Sequence, residues 1–206
     1  MVKLICMIYL IGGAPRCGKT ILAKKIAIKK QIPFLMTDAI RPIILNYLPK
    51  SELKTKMPFD YIKGSEYCLA KESLKAEIIE SKTMWPGIKA LICQMYLCKQ
   101  DCILEGVHLL PELVQQLKKE KCWKNIKIIY LIKKDSNKII DGFSKNRNEF
   151  DWAQSCLQDK VKLFYLAEMV RLKSLHIDKQ AKKYKFKTIN TDTDFDIKIN
   201  KLLGVV

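Results

Sequence analysis

The sequence has little of several things that would assign it quickly. None of its eight cysteines forms a C-x-x-C pair. The tightest group, Cys93, Cys98 and Cys102, lacks the spacing of zinc ligands. Buried, reduced thiols are the expectation, which fits a cytosolic rather than a secreted chain. Apolar runs are short: residues 4–11 and 126–132 fall far below the ~20 residues needed to cross a bilayer. The first of them leads into a glycine-rich loop rather than a cleavage site, so a soluble, cytoplasmic protein with no membrane partner is expected. Internal repeats and low-complexity linkers are absent. Arginine is scarce as well. Only Arg16, Arg41, Arg147 and Arg171 stand among 38 basic residues, the other 34 being lysines spread in ones and twos. The formal charge of +17 therefore predicts a weak, non-specific attraction to nucleic acid at low salt rather than a focused phosphate-reading groove.

What the chain does have is enough apolar residue for a core, 49% over 206 residues. Against a prior of about 150 residues per domain, that length predicts one domain, 1–206, with a helical insertion or lid. Residues 4–11 (LICMIYLI) read as a strand buried on both faces. Lys19–Lys30 has helical periodicity, with Leu22 and Ile26 four apart. Further strands are expected at 33–37, 102–105, 126–132 and 185–190. Helices are expected at 38–48, 65–81, 86–100, within 152–183 and at 195–203. Pro86 suits a first helical position, and that divides the middle helices into two. Residues 49–66 read as an irregular loop beside the substrate, and 133–151 as a polar, mobile flap. Strands alternating with helices predict an α/β fold with a five-stranded parallel sheet.

The chemistry is concentrated between the first strand and the first helix. Gly13-Ala14-Pro15-Arg16-Cys17-Gly18-Lys19-Thr20 matches G-x-x-x-x-G-K-[ST] throughout. In such a loop, successive backbone N–H groups turn inward on a phosphate at a helix N-terminus. Lys19 reaches the β- and γ-phosphates and the Thr20 hydroxyl faces Mg²⁺. Arg16 is expected to point outward. Glu105 closes the third strand, at the carboxyl edge where open α/β sheets bind ligands, and is the second candidate near the metal. Asp38 follows the second strand. It can serve as helix N-cap or accept a proton from a substrate hydroxyl during phosphoryl transfer.

The strings GGAPRCGKT, TDAIR (37–41) and ILEGVHLLP (103–111) occur in an order that resembles P-loop small-molecule kinases. The similarity is greatest to the 2-phosphoglycerate kinase group, within a set that includes chloramphenicol phosphotransferase, zeta toxins and shikimate-kinase-like enzymes. It covers the first half of the chain and is architectural after residue 132. It implies a three-layer α/β/α P-loop NTPase fold with a small helical lid. The expected activity is transfer of the γ-phosphoryl of ATP, with Mg²⁺, to a hydroxyl of a small anionic metabolite. By position it makes Asp38 a substrate-facing acid or base, Arg41 a contact to an anionic group, Glu105 a neighbour of Mg²⁺ and His108 a lining residue of the same pocket. The lid at 133–151 implies that Arg147, joined by Arg171 on the following helix, closes over the transferring phosphoryl group; Lys134 or Lys145 could replace them. Residues 41–100 would face the acceptor, and the loop at 191–194 the adenine. GTP stays open as an alternative to ATP, since no N-K-x-D motif reads the base. A nucleic-acid end kinase, a nucleoside kinase and a nucleotide-dependent regulator are the competing readings. Oligomeric state is not encoded in any feature of the sequence.

Overall fold

A computed structural model of the chain describes residues 6–62, 70–145 and 159–205. The central strand, β1 (Ile8–Gly13), is buried at every position. Alternate side chains go to opposite faces of a strand. Tyr9 and Ile11 accordingly enter one apolar cluster, and Ile8 and Leu10 enter another on the far side of the sheet. An uninterrupted apolar run is what a parallel strand covered on both faces requires.

The sheet contains β2 (Phe34–Met36), β3 (Cys102–Gly106), β4 (Ile126–Ile132) and β5 (Thr188–Asn190) besides β1. Its order is β2-β3-β1-β4-β5, and every neighbouring pair is parallel. One face is covered by α1 (Lys19–Lys30), α6 (Ser136–Lys145), α8 (Phe195–Val205) and the first half of α7 (Lys160–Tyr184). The other is covered by α4 (Ala70–Leu97), α5 (Pro111–Val114) and the second half of α7. Two short helices, α2 (Arg41–Tyr47) and α3 (Lys50–Lys56), lie between β2 and α4. This is the three-layer α/β/α fold of P-loop NTPases.

Three local expectations change. Pro86 does not divide two helices but lies within α4, one continuous helix of 28 residues. An interior proline costs about 3 kcal/mol. That cost is offset because Met84, Trp85, Ile88 and Ile92 are all buried around it while Pro86 itself faces solvent. The supposed loop at 49–66 contains α3 and a 3-10 turn, Pro58–Tyr61, pinned to α4 where the Glu80 carboxylate accepts from the Phe59 N–H at 2.8 Å. The first part of the supposed flap is α6, whose Ile139 and Phe143 are fully buried. Among the described residues, no helix is long and apolar enough to cross a membrane.

Candidate active site

A parallel sheet presents all its carboxyl ends at one edge, and the loops leaving that edge bring distant residues together. Here it gathers the loop after β1, Thr37 and Asp38 after β2, Glu105 and Gly106 at the end of β3, Lys133 after β4 and Thr191 after β5.

The loop after β1 is wound for an anion. Gly18 caps α1 with φ 91°, and a Cβ there would come within 2.3 Å of the Phe195 ring, so both conformation and space call for glycine. Ala14 and Cys17 are fully buried, and the Cys17 carbonyl accepts the Thr191 hydroxyl at 3.1 Å, tying the loop to the end of β5. Burial pushes the Cys17 thiol up, so it stays protonated. The first turn of α1 contains no acidic residue, leaving the positive end of the helix dipole open to a phosphate. Lys19 is buried and its ammonium donates to the Ala14 carbonyl at 2.8 Å. Burial lowers its pKa, with the charges of Glu105 and Asp38 acting the other way. A phosphate would supply the counter-charge this desolvated ammonium lacks. Arg16 departs from expectation: its guanidinium stacks over the Phe143 ring at 5.0 Å and is half-buried beside the loop rather than directed outward.

Strand alternation puts Glu105 on the same face as Ile103, toward α1. There the Thr20 hydroxyl donates to Glu105 Oε1 at 2.9 Å. Glu105 is buried, and desolvation raises its pKa against the opposing pull of Lys19 and Thr20. A hydroxyl and a carboxylate are hard oxygen donors, the type Mg²⁺ uses together with phosphate and water oxygens. The two residues therefore fit the ion that the loop implies.

Asp38 sits in a 3-10 turn, Thr37–Ala39, with its side chain 64% exposed. His108 is buried behind it. Its Nδ1 lies 2.9 Å from the Thr37 hydroxyl and 3.5 Å from Asp38 Oδ1. Burial, reinforced by the charges of Lys173, Arg41 and Lys19, holds His108 down at about 3, so the ring is neutral near pH 7. Gly106 allows the approach: a Cβ at its φ of 157° would strike the Thr37 hydroxyl at 1.7 Å.

The arginines are distributed differently from expectation. Arg41 is committed within the protein, to Glu80 through Nε at 2.9 Å and a second nitrogen at 3.2 Å, and to Asp60 at 2.8 Å. Arg171 forms a double hydrogen bond with Glu168, three residues away on α7, and does not line the cavity beside the loop. Arg147 lies outside the described residues. Lys134, the alternative, pairs with Asp178 at 2.7 Å. The cation the sequence reading missed is Lys173, on α7 and fully buried, with its ammonium 2.6 Å from Glu77. Its signal was present: Val170, Lys173, Ser174, Ile177 and Ala181 repeat at helical spacing along a buried stripe.

A cavity of about 710 Å³ opens beside the loop, lined by Gly18, Lys19 and Thr20 on one wall. Thr191, Asp192 and Phe195 line the wall beneath β5, and Lys133 and Lys138 the α6 side. Asp192 accepts the backbone N–H groups of Lys134 and Asp135, which joins the start of α6 to this wall.

No family model matches the chain, and no curated protein matches it. Solved structures do. A sugar kinase from Janibacter sp. HTCC2649 is 13% identical with a TM-score of 0.58, over 97% of this chain and 93% of that one. Shikimate kinase from Bacteroides thetaiotaomicron is 14% identical with a TM-score of 0.53, over 97% of both chains. Shikimate kinase from Acinetobacter baumannii, in complex with shikimate, is 16% identical with a TM-score of 0.52, over 98% of this chain and 93% of that one. At this distance the likeness establishes the fold.

Proposed function

We propose that the chain is a P-loop phosphotransferase that moves the γ-phosphoryl group of ATP to a hydroxyl of a small molecule. The observation that carries this reading is the joining of Lys19, Thr20 and Glu105 to Asp38 at one sheet edge, with Thr20 and Glu105 in direct hydrogen bond. A phosphate-binding loop alone serves a switch equally well. A carboxylate at the same sheet edge, beside a buried neutral histidine, serves an acceptor. Shikimate and sugar kinases among the structures of similar fold favour the same reading over a nucleic-acid end kinase or a regulator.

In this mechanism the loop amides of 13–20 and Lys19 hold the triphosphate. Thr20 and Glu105 would hold Mg²⁺, whose charge offsets that of the phosphates. Asp38 accepts the proton of the acceptor hydroxyl as its oxygen bonds the γ-phosphorus and the bond to ADP breaks. The products are a phosphate monoester, ADP and a proton. Lys133 and Lys138 line the nucleotide cavity and are candidates to screen its phosphates, with Arg147 and Arg171 kept as cations that a closed state would bring in. In this reading the acceptor side draws on the described residues among 41–62 and 70–100, within one domain, and adenine would face the wall at Thr191 and Phe195.

The test is ATP turnover against an acceptor panel by the intact protein and by Lys19→Ala. Product should require Lys19, with the variant's melting temperature preserved. Undiminished phosphoryl transfer by Lys19→Ala would overturn the assignment.

A further inference from the structure

The sheet edge away from the phosphate loop gathers thiols. Cys102 opens β3, Cys122 lies in a 3-10 turn, Lys121–Asn125, just before β4, and Cys93 sits near the carboxyl end of α4. All three are free.

Cys93 and Cys122 are brought together by a contact repeated on three successive turns of α4. The Trp85 indole N–H donates to Gln116 Oε1 at 3.0 Å. One turn on, the Lys89 ammonium pairs with Glu120 Oε1 at 2.6 Å. One turn further, the thiols of Cys93 and Cys122 hydrogen-bond to each other. Residues 85, 89 and 93 are four apart, which stacks them on one helix face, and their partners advance in the same order. Both cysteines also belong to the apolar packing on that side of the sheet.

The two thiols differ in access. Cys122 is 1% exposed, whereas Cys93 is only half-buried. Burial and the neighbouring thiol push Cys122 up to about 11, so it keeps its proton near pH 7. An oxidant arriving from solvent meets Cys93 first and finds Cys122 behind it as the second thiol. Cys6, Cys17 and Cys102 are buried, and exposed Cys98 takes a hydrogen bond from Gln94 on its own helix.

We infer that Cys93 and Cys122 are a site of reversible oxidation, closing to a disulfide that staples α4 to the turn before β4 when the protein meets hydrogen peroxide. The Cys93 sulfur bonds to one peroxide oxygen as the O–O bond breaks, giving a sulfenic acid and one water. The Cys122 sulfur then bonds to the Cys93 sulfur as the S–OH bond breaks, and its proton leaves with the hydroxyl as a second water. Two electrons pass from the thiols to the peroxide, and a dithiol reductant restores both thiols by exchange. The staple would close residues 94–121 into a loop, which restrains the unfolded chain. It lies at the sheet edge opposite Lys19 and stands apart from the phosphotransferase reading.

The experiment maps the link. The full chain, fully reduced, is treated with graded hydrogen peroxide under native conditions, alkylated, and digested for mass spectrometry without reduction. A Cys93–Cys122 peptide, two hydrogens lighter than its parts and lost with dithiothreitol, should be the main cross-link. Oxidation should raise Tm by several degrees in the wild type and leave Tm of Cys93→Ser unchanged. At the same peroxide dose, Cys122 of Cys93→Ser should stay reduced. Sulfinic or sulfonic acid at Cys93 with no link overturns the proposal, as does a main link from Cys93 to another cysteine or one that forms only in denaturant. A native link that leaves Tm unmoved overturns the staple, and equal oxidation of Cys122 in Cys93→Ser overturns the order of attack. Should that variant not fold, the wild-type map and its Tm decide alone.

Discussion

Two regions beside the sheet treat positive charge in opposite ways. In the loop after β1, Lys19 is buried with a backbone carbonyl as its hydrogen-bond partner and, among the described residues, without an ion pair. Against α4, Arg41 and Lys173 are held by carboxylates of the same protein. A desolvated, uncompensated ammonium at a helix N-terminus is a site awaiting a polyanion. A matched pair is at rest, and opening it costs more than closing it on a new partner returns. The protein thus combines an ammonium open to an anion with cations that are already matched.

The contrast can be broken most severely at Lys19. Lys19→Ala should reduce kcat/KM for phosphoryl transfer by at least ~10³-fold, as loss of a principal transition-state charge contact does, with unchanged circular dichroism. Asp38→Asn should lower kcat by about 10²–10³-fold, on the scale of a removed general base. ATP binding by calorimetry should survive, because Asp38 touches none of the loop. A comparable loss of ATP affinity would assign Asp38 to nucleotide binding instead.

Against α4 the largest effects are on stability. Lys173→Met strands Glu77 and should cost about 3–5 kcal/mol in denaturant unfolding. The double variant Lys173→Met/Glu77→Leu should regain most of it, the signature of a coupled buried pair. Additive losses would show that the two do not act as a unit.

His108 provides a pH handle. Its folded value, about 3, lies below the ordinary 6.5, so the unfolded chain takes up a proton first as pH falls. Its contribution to stability is full above pH 6.5 and is lost progressively between 6.5 and 3. His108→Gln should therefore flatten the decline of Tm between pH 7 and 4 by several degrees, and an unaltered slope would exclude His108 as its source. At the small end, Glu72→Gln removes an exposed pair with Lys75 and should change stability by no more than about 0.5 kcal/mol.

The ease of reading this chain followed the sequence distance over which each feature is built. The phosphate loop is eight consecutive residues between a strand and a helix, so chemistry and geometry are written together. Glu105 was accessible because the carboxyl end and face of a strand follow from its position and the alternation of its neighbours. Arg41 was identified, but its commitment to Asp60 and Glu80 was not, for nothing local links them. Lys173 and Glu77, 96 residues apart, were missed for a compositional reason: among 34 lysines a buried one outside a motif is inconspicuous, and the arginine two residues earlier stood out instead. Pro86 misled because the local cost of an interior proline is visible in the sequence, whereas the burial of Met84, Trp85, Ile88 and Ile92 that outweighs it is not.

By itself the sequence determined the parallel α/β layering and a glycine-rich loop from Gly13 to Thr20 at the head of a helix, because strand alternation, helix period and loop chirality are set by neighbours within a few residues. Only the tertiary structure decided which charges meet. Among the described residues it left Lys19 without a carboxylate partner, gave Arg41 both Asp60 and Glu80, and gave Lys173 Glu77, because ion pairing among buried side chains depends on which helices the sheet brings together, and that is fixed by packing across the whole chain.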